Sequence, residues 1–175
     1  MSLAWPAAVF GSVWLFRKQL IEMLPNFRAK YKDVEIDFRL REAEKQIAEL
    51  PKTPSAPAPT PEEDRRFRDL AELSPKGAIL EVRAGVEEAL RKYAVEVGEL
   101  PAQQMPLVIV ARALRAKELF TERLASLFDD LRVIGNQAAH DPNVELKADD
   151  AVLYKALADS FVQQLAELTV QASKR

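Results

Sequence analysis

The chain has 175 residues, 48% hydrophobic and 30% charged, with a formal net charge of −2, which provides for a packed core and excludes wholesale disorder. The absence of cysteine excludes disulfides, thiolate metal sites and a cysteine nucleophile. The single histidine, His140, excludes a multi-histidine metal cage, and the near-balanced charge gives no global pull toward nucleic acid.

In chain order, Leu3 to Phe16 carry no charged side chain, and Arg17 to Lys32 then hold five Lys/Arg against the single Glu22. A spanning helix needs about 20 apolar residues. The fourteen here approach that length if Leu20, Ile21, Met23 and Leu24 continue the helix while Arg17 and Lys18 snorkel. Trp5 and Trp14 stand near the two ends, where aromatic belts are expected. The basic residues follow the apolar run, unlike those of a secretory signal. Residues 1–25 are therefore expected to anchor the chain in the membrane through residues 3–24, flanked by Trp5, Trp14, Arg17 and Lys18. By the positive-inside rule the remainder lies on the cytoplasmic side of the inner membrane. The alternative is a short buried helix docked on a soluble cytoplasmic domain.

Within residues 26–50, the stretch 30–38 alternates through Val34, Ile36 and Phe38, the period of a half-buried strand. An isolated strand needs a neighbour, either an identical strand of another subunit or the bundle's own surface. Ile36, Leu40, Ala43, Ile47 and Leu50 then follow at steps of four and three, a short heptad helix. Strand and seam together suggest a homo-oligomer. Residues 51–61, PKTPSAPAPTP, contain five prolines and are expected to form an extended spacer that marks a domain boundary.

Residues 62–175 read as a helical bundle. A first helix is expected over Glu62 to Leu73. Ser74 then caps and Pro75 opens a long one, with Ile79, Val82, Val86, Leu90, Tyr93 and Val97 on one face and Gly98 as its stop. Leu107 to Ala116 form a short helix after Pro106. Thr121 caps the next, which carries Leu124, Leu127, Phe128, Leu131, Ile134 and Ala138 and ends at Asp141-Pro142. The last starts near Lys147, has Asp149 and Asp150 in its first turn, and carries Leu153 or Tyr154, Leu157, Phe161, Leu165 and Leu168. One-faced stripes must bury against each other. The expected class is all-α: an antiparallel bundle of four to five helices, preceded by an apolar helix, one isolated strand and a short heptad helix.

One polar cluster escapes this periodicity. Arg132, Asn136 and His140 are four apart. At about 100° per residue from Leu131 at zero, they fall at about 100°, 140° and 180°. The trio is thus expected off the core-facing stripe, turned to a groove, to solvent or to another subunit.

The order L-R-x-x-G-N-x-A-A-H over residues 131–140, the following Asp-Ala and the aromatic last helix resemble the HEPN superfamily. The likeness is greatest to its bacterial branch classed as a domain of unknown function and also found fused to restriction-enzyme subunits. The stretch SPKGAILEVRAGVEEALRKYA resembles that branch's first long helix, and the resemblance spans roughly residues 67–170. It implies paired helical bundles that cleave RNA without metal, with the Arg and His of an R-x(4–6)-H motif meeting at the dimer interface. Histidine moves the proton and arginine holds the developing phosphorane charge. By position, His140 matches the histidine and Asn136 the polar residue that often follows the arginine. The arginine position is occupied by Gly135, and Arg132 lies one turn earlier on nearly the same face.

Two functions follow as expectations. The first is a membrane-tethered interaction or oligomerisation module with a degenerate HEPN-type motif. It has no cofactor or metal, and it engages the membrane, a second copy or an unidentified protein. The second is a metal-independent endoribonuclease of defence or toxin type using His140 and Arg132. Residues 62–175 hold 16 Lys/Arg and 20 Asp/Glu, which disfavours nucleic acid as a partner. No phosphate-cradling glycine motif, Ser/His/Asp arrangement or internal repeat is readable. The acidic residues have solvated-face spacing.

Overall fold

The computed structural model describes residues 36, 39–43, 45, 60–98 and 104–172. All secondary structure among them is helical: α1 (Pro61–Leu73), α2 (Pro75–Glu96), α3 (Leu107–Ala116), α4 (Glu122–His140) and α5 (Ala148–Ala172). The described residues from 36 to 45 are also helical.

Local chemistry sets the boundaries. Thr60 caps α1: its Oγ1 accepts from the Glu63 backbone N–H at 3.2 Å, and its own N–H donates to the Glu63 carboxylate at 2.8 Å. These bonds hold the Glu63 carboxyl below the usual carboxylate range. The helix thus starts inside the stretch read as spacer, because Pro61 occupies the first helical position, where its missing N–H costs nothing. Ser74 alone separates α1 from α2. Its N–H donates to Leu70 O and its Oγ accepts from Gly77 N–H, so one residue ends one helix and starts the next. Gly98, at φ 83°, provides the left-handed stop after α2. Thr121 Oγ1 caps α4, and Asp150 Oδ2 accepts from Lys147 N–H just ahead of α5.

The core is one cluster drawn from all these helices. Tyr154 and Phe161 of α5 are fully buried. Phe161 stacks on Phe128 at 5.8 Å and meets Phe120 edge-on at 6.1 Å. A buried side chain of this size contributes roughly 1.5–3 kcal/mol through apolar burial, plus about 0.5–1.5 kcal/mol per favourable aromatic pair.

Two expectations are corrected. Ile36, inside the stretch read as a strand, is helical and 3% exposed, and Leu40 and Ala43 are fully buried in the same core. The three- and four-residue spacing from Ile36 to Ala43 matches a helix packed on the bundle, and it overrides three alternating residues. The other residues of the strand reading, and Ile47 and Leu50 of the heptad reading, lie outside the described residues. Second, the bundle is not antiparallel throughout. Arg83 and Tyr154 meet at one level and Glu96 and Thr169, 3.1 Å apart, at another, so α2 and α5 run in the same direction. Lys76 at the start of α2 reaches Asp141 at the end of α4, so those two run oppositely. The short α3 carries the chain between α2 and α4 and permits this mixed order.

Candidate functional site

The second half of α4 presents two faces. Leu127, Leu131, Ile134 and Ala138 are buried in the core; Arg132 and Asn136 are half-buried and His140 is exposed. The polar trio does lie off the core-facing stripe. Its members do not share one cavity. Asn136 and His140 line an open depression of about 490 Å³ with Gln137 and Asp141. Arg132 instead lines a narrow crevice with Arg83, Glu87, Phe128 and Tyr154.

Arg132 is engaged within its own helix: Nη2 lies 2.6 Å and Nε 3.1 Å from Asp129 Oδ1. This is a half-exposed i,i+3 pair, worth a few tenths of a kcal/mol (about 0.2–0.5). Its main effect is to point the guanidinium toward the carboxylate side of the helix.

Gly135 is buried, and a side chain there would require Arg83 to shift. A Cβ would stand 2.8 Å from Arg83 Cδ and 3.2 Å from the Tyr154 hydroxyl. Both neighbours are held in place. Arg83 Nε donates to Glu87 Oε1 at 2.7 Å, and Tyr154 O–H donates to the Leu131 carbonyl at 3.1 Å. Burial raises the Tyr154 phenol far above its ordinary value, so it remains a protonated donor. At the position where the resemblance asks for arginine there is therefore a glycine, with an arginine of α2 packed over it.

Three features of this region escaped the sequence. Lys76 donates to the Asp141 carbonyl at 3.0 Å, closing the end of α4 just beyond His140, where cations are favoured. The Oε1 of Gln137 is buried and has no hydrogen-bond partner among the described residues. On the opposite side of α4, Asp130 is 9% exposed and accepts from Arg39 Nη1 at 2.8 Å. Burial raises the Asp130 carboxyl above its ordinary value, with the Arg39 bond and charge opposing that rise. The pairs Lys76–Asp141 and Arg39–Asp130 join residues 65 and 91 apart. No local motif marks them.

Among the described residues, no three His, Cys, Asp or Glu side chains cluster as metal ligands. Nor is any helix among them long and apolar enough to cross a membrane. Trp5, Trp14, Arg17 and Lys18 lie outside the described residues.

What the α4 face offers chemically is an exposed imidazole, two amides and one carboxylate around an open depression, with its nearest arginines in ion pairs. No curated protein and no solved structure matches the chain. The model of the family described as Domain of unknown function (DUF4145) matches residues 65–175, and the chain belongs to that family.

Proposed function

We propose that the chain is a membrane-tethered helical interaction module that self-associates or docks a protein partner at the cytoplasmic face of the inner membrane. On this reading it carries a degenerate HEPN-type motif. The observation that carries this reading is the separation of the motif's charges. Arg132 pairs with Asp129 and lines one crevice while His140 and Asn136 line a separate depression, and Gly135 is covered by Arg83 and Tyr154. Phosphoryl-transfer chemistry needs its proton-transfer group and its cation aimed at one reacting phosphate. The excess of Asp/Glu in residues 62–175 agrees with a protein partner. The uncharged run Leu3 to Phe16 and the basic residues after it support the tether.

Fractionation of the full chain tests the tether. It is expected to sediment with membranes and to move to the soluble fraction when residues 3–24 are deleted. Clean recovery of the full chain in the soluble fraction overturns it. The mass of the full chain in mild detergent tests self-association.

A second reading, a metal-independent endoribonuclease with His140 as acid/base and Arg132 as phosphate clamp, draws on one observation. His140 and Asn136 share an open depression that a nucleotide can reach.

A further inference from the structure

The helical stretch around residue 40 belongs to the core but is joined to α1 by a long connection. Ile36 is 3% exposed and Leu40 and Ala43 are fully buried. Arg39 Nη1 donates to Asp130 Oδ1 at 2.8 Å, which fixes the stretch beside α4. Between Lys45 and Thr60 lie residues 46–59, fourteen positions with prolines at 51, 54, 57 and 59. Chain this rich in proline favours extended geometry of about 3.1 Å per residue, a reach of about 43 Å. A folded unit of about 110 residues is only about 35 Å across. The connection leads into α1, which packs against α2 and α5 rather than α4.

We infer that two copies of this chain exchange this stretch, the helix of each docking beside Asp130 on the α4 of the other. The inference rests on the reading of the chain as a self-associating module and assigns that association a surface. Ile36, Leu40 and Ala43 carry the heptad spacing that suggests association, and they are buried against a bundle. An association that uses this seam therefore has to exchange it. Exchange sacrifices no contact, because the helix meets the same apolar neighbours and the same carboxylate in either arrangement. What differs is the connection. Docking on its own α4 bends the connection around a bundle narrower than its extended length, whereas exchange lets it run straight to a neighbour. The contact is reciprocal, so two copies close on each other.

Two charge reversals in the full chain, held in mild detergent, test the exchange. Arg39→Glu and Asp130→Arg each set like charges together, and each alone is expected to lower the thermal midpoint. Co-expressed, the two variants present opposite charges at both exchanged sites and like charges wherever a helix docks within its own chain. A mixed dimer that melts several degrees above either variant is expected; a mixture that melts as its components do overturns the proposal. Cross-linking decides independently of how well a guanidinium is accommodated at the buried position 130. The chain has no cysteine, so Arg39→Cys and Asp130→Cys each carry a single thiol. Co-expressed and treated with a short bis-maleimide, they are expected to join as a covalent heterodimer. Each variant treated alone sets the background, and a mixed yield no greater than it, from chain that is dimeric by mass, defeats this surface alone. Chain that is monomeric at every concentration defeats the module reading with it.

Discussion

The Arg83 side chain lies across Gly135, so that a Cβ on the glycine would stand 2.8 Å from Arg83 Cδ. One helix thus gives up its side chain so that the arginine of another can pack over it. Gly135→Ala gains about 1 kcal/mol of helix propensity but forces an overpacked contact costing about 1–3 kcal/mol. The expected net change is a loss of about 1 kcal/mol in urea denaturation. Arg83→Ala in the same chain is expected to recover most of it, because the two residues share one space. A stabilised Gly135→Ala single variant contradicts the packing described here.

Tyr154 ties α5 to α4 through the Leu131 carbonyl. Tyr154→Phe is expected to cost about 1 kcal/mol, the net worth of one buried hydrogen bond. The phenol's ionisation is raised in the fold. Its contribution is therefore full below the ordinary tyrosine value, near pH 10, and is lost as pH rises toward the folded value. Denaturation above about pH 10 is expected to narrow the gap between wild type and Tyr154→Phe.

The Arg39–Asp130 pair holds the helical stretch around residue 40 to α4. Arg39→Ala leaves a buried carboxylate without that partner, an expected loss of about 1–3 kcal/mol at pH 7. The Asp130 carboxyl is raised in the fold. Its contribution to stability is therefore present below the ordinary carboxylate value and lost as pH rises through the folded one. Removing Arg39 raises the folded value further. The penalty of Arg39→Ala is thus expected to fade as pH drops toward about 4. Urea midpoints at pH 4 and pH 7 give this difference, and equal penalties at both contradict it.

Lys76 closes α4 by donating to the carbonyls of Asp141 and Pro142. Lys76→Met is expected to lower stability by about 0.5–1 kcal/mol and to speed amide exchange in the last turn of α4. Exchange unchanged around Ala138 to His140 contradicts that role.

Most of the bundle is legible in the sequence because its helix ends carry their own chemistry. Ser74-Pro75, Pro106, Thr121 and Asp141-Pro142 mark termini that the structure reproduces within a residue or so. The stripes through Leu90, Leu131 and Phe161 are indeed buried. The reading failed where long-range partners decide. Arg39, Lys76 and Arg83 look like solvated charges on a helical wheel, and only folding brings them to Asp130, Asp141 and Gly135. The strand reading failed at Ile36 because the four- and three-residue spacing through Leu40 and Ala43, which buries one helical face, outweighs an isolated alternation of three. For the candidate site, the outward placement of His140 followed from periodicity. The division of the trio between two concavities did not, since it depends on where α2 and α5 pack.

The reading of the α4 motif as degenerate meets its most direct test in RNA cleavage by the full chain, measured for wild type, His140→Ala and Arg132→Ala. The separated charges lead us to expect no cleavage that depends on His140 or Arg132, and unaltered folding of both variants. Cleavage by wild type that either substitution abolishes contradicts that reading and makes the imidazole a catalytic group.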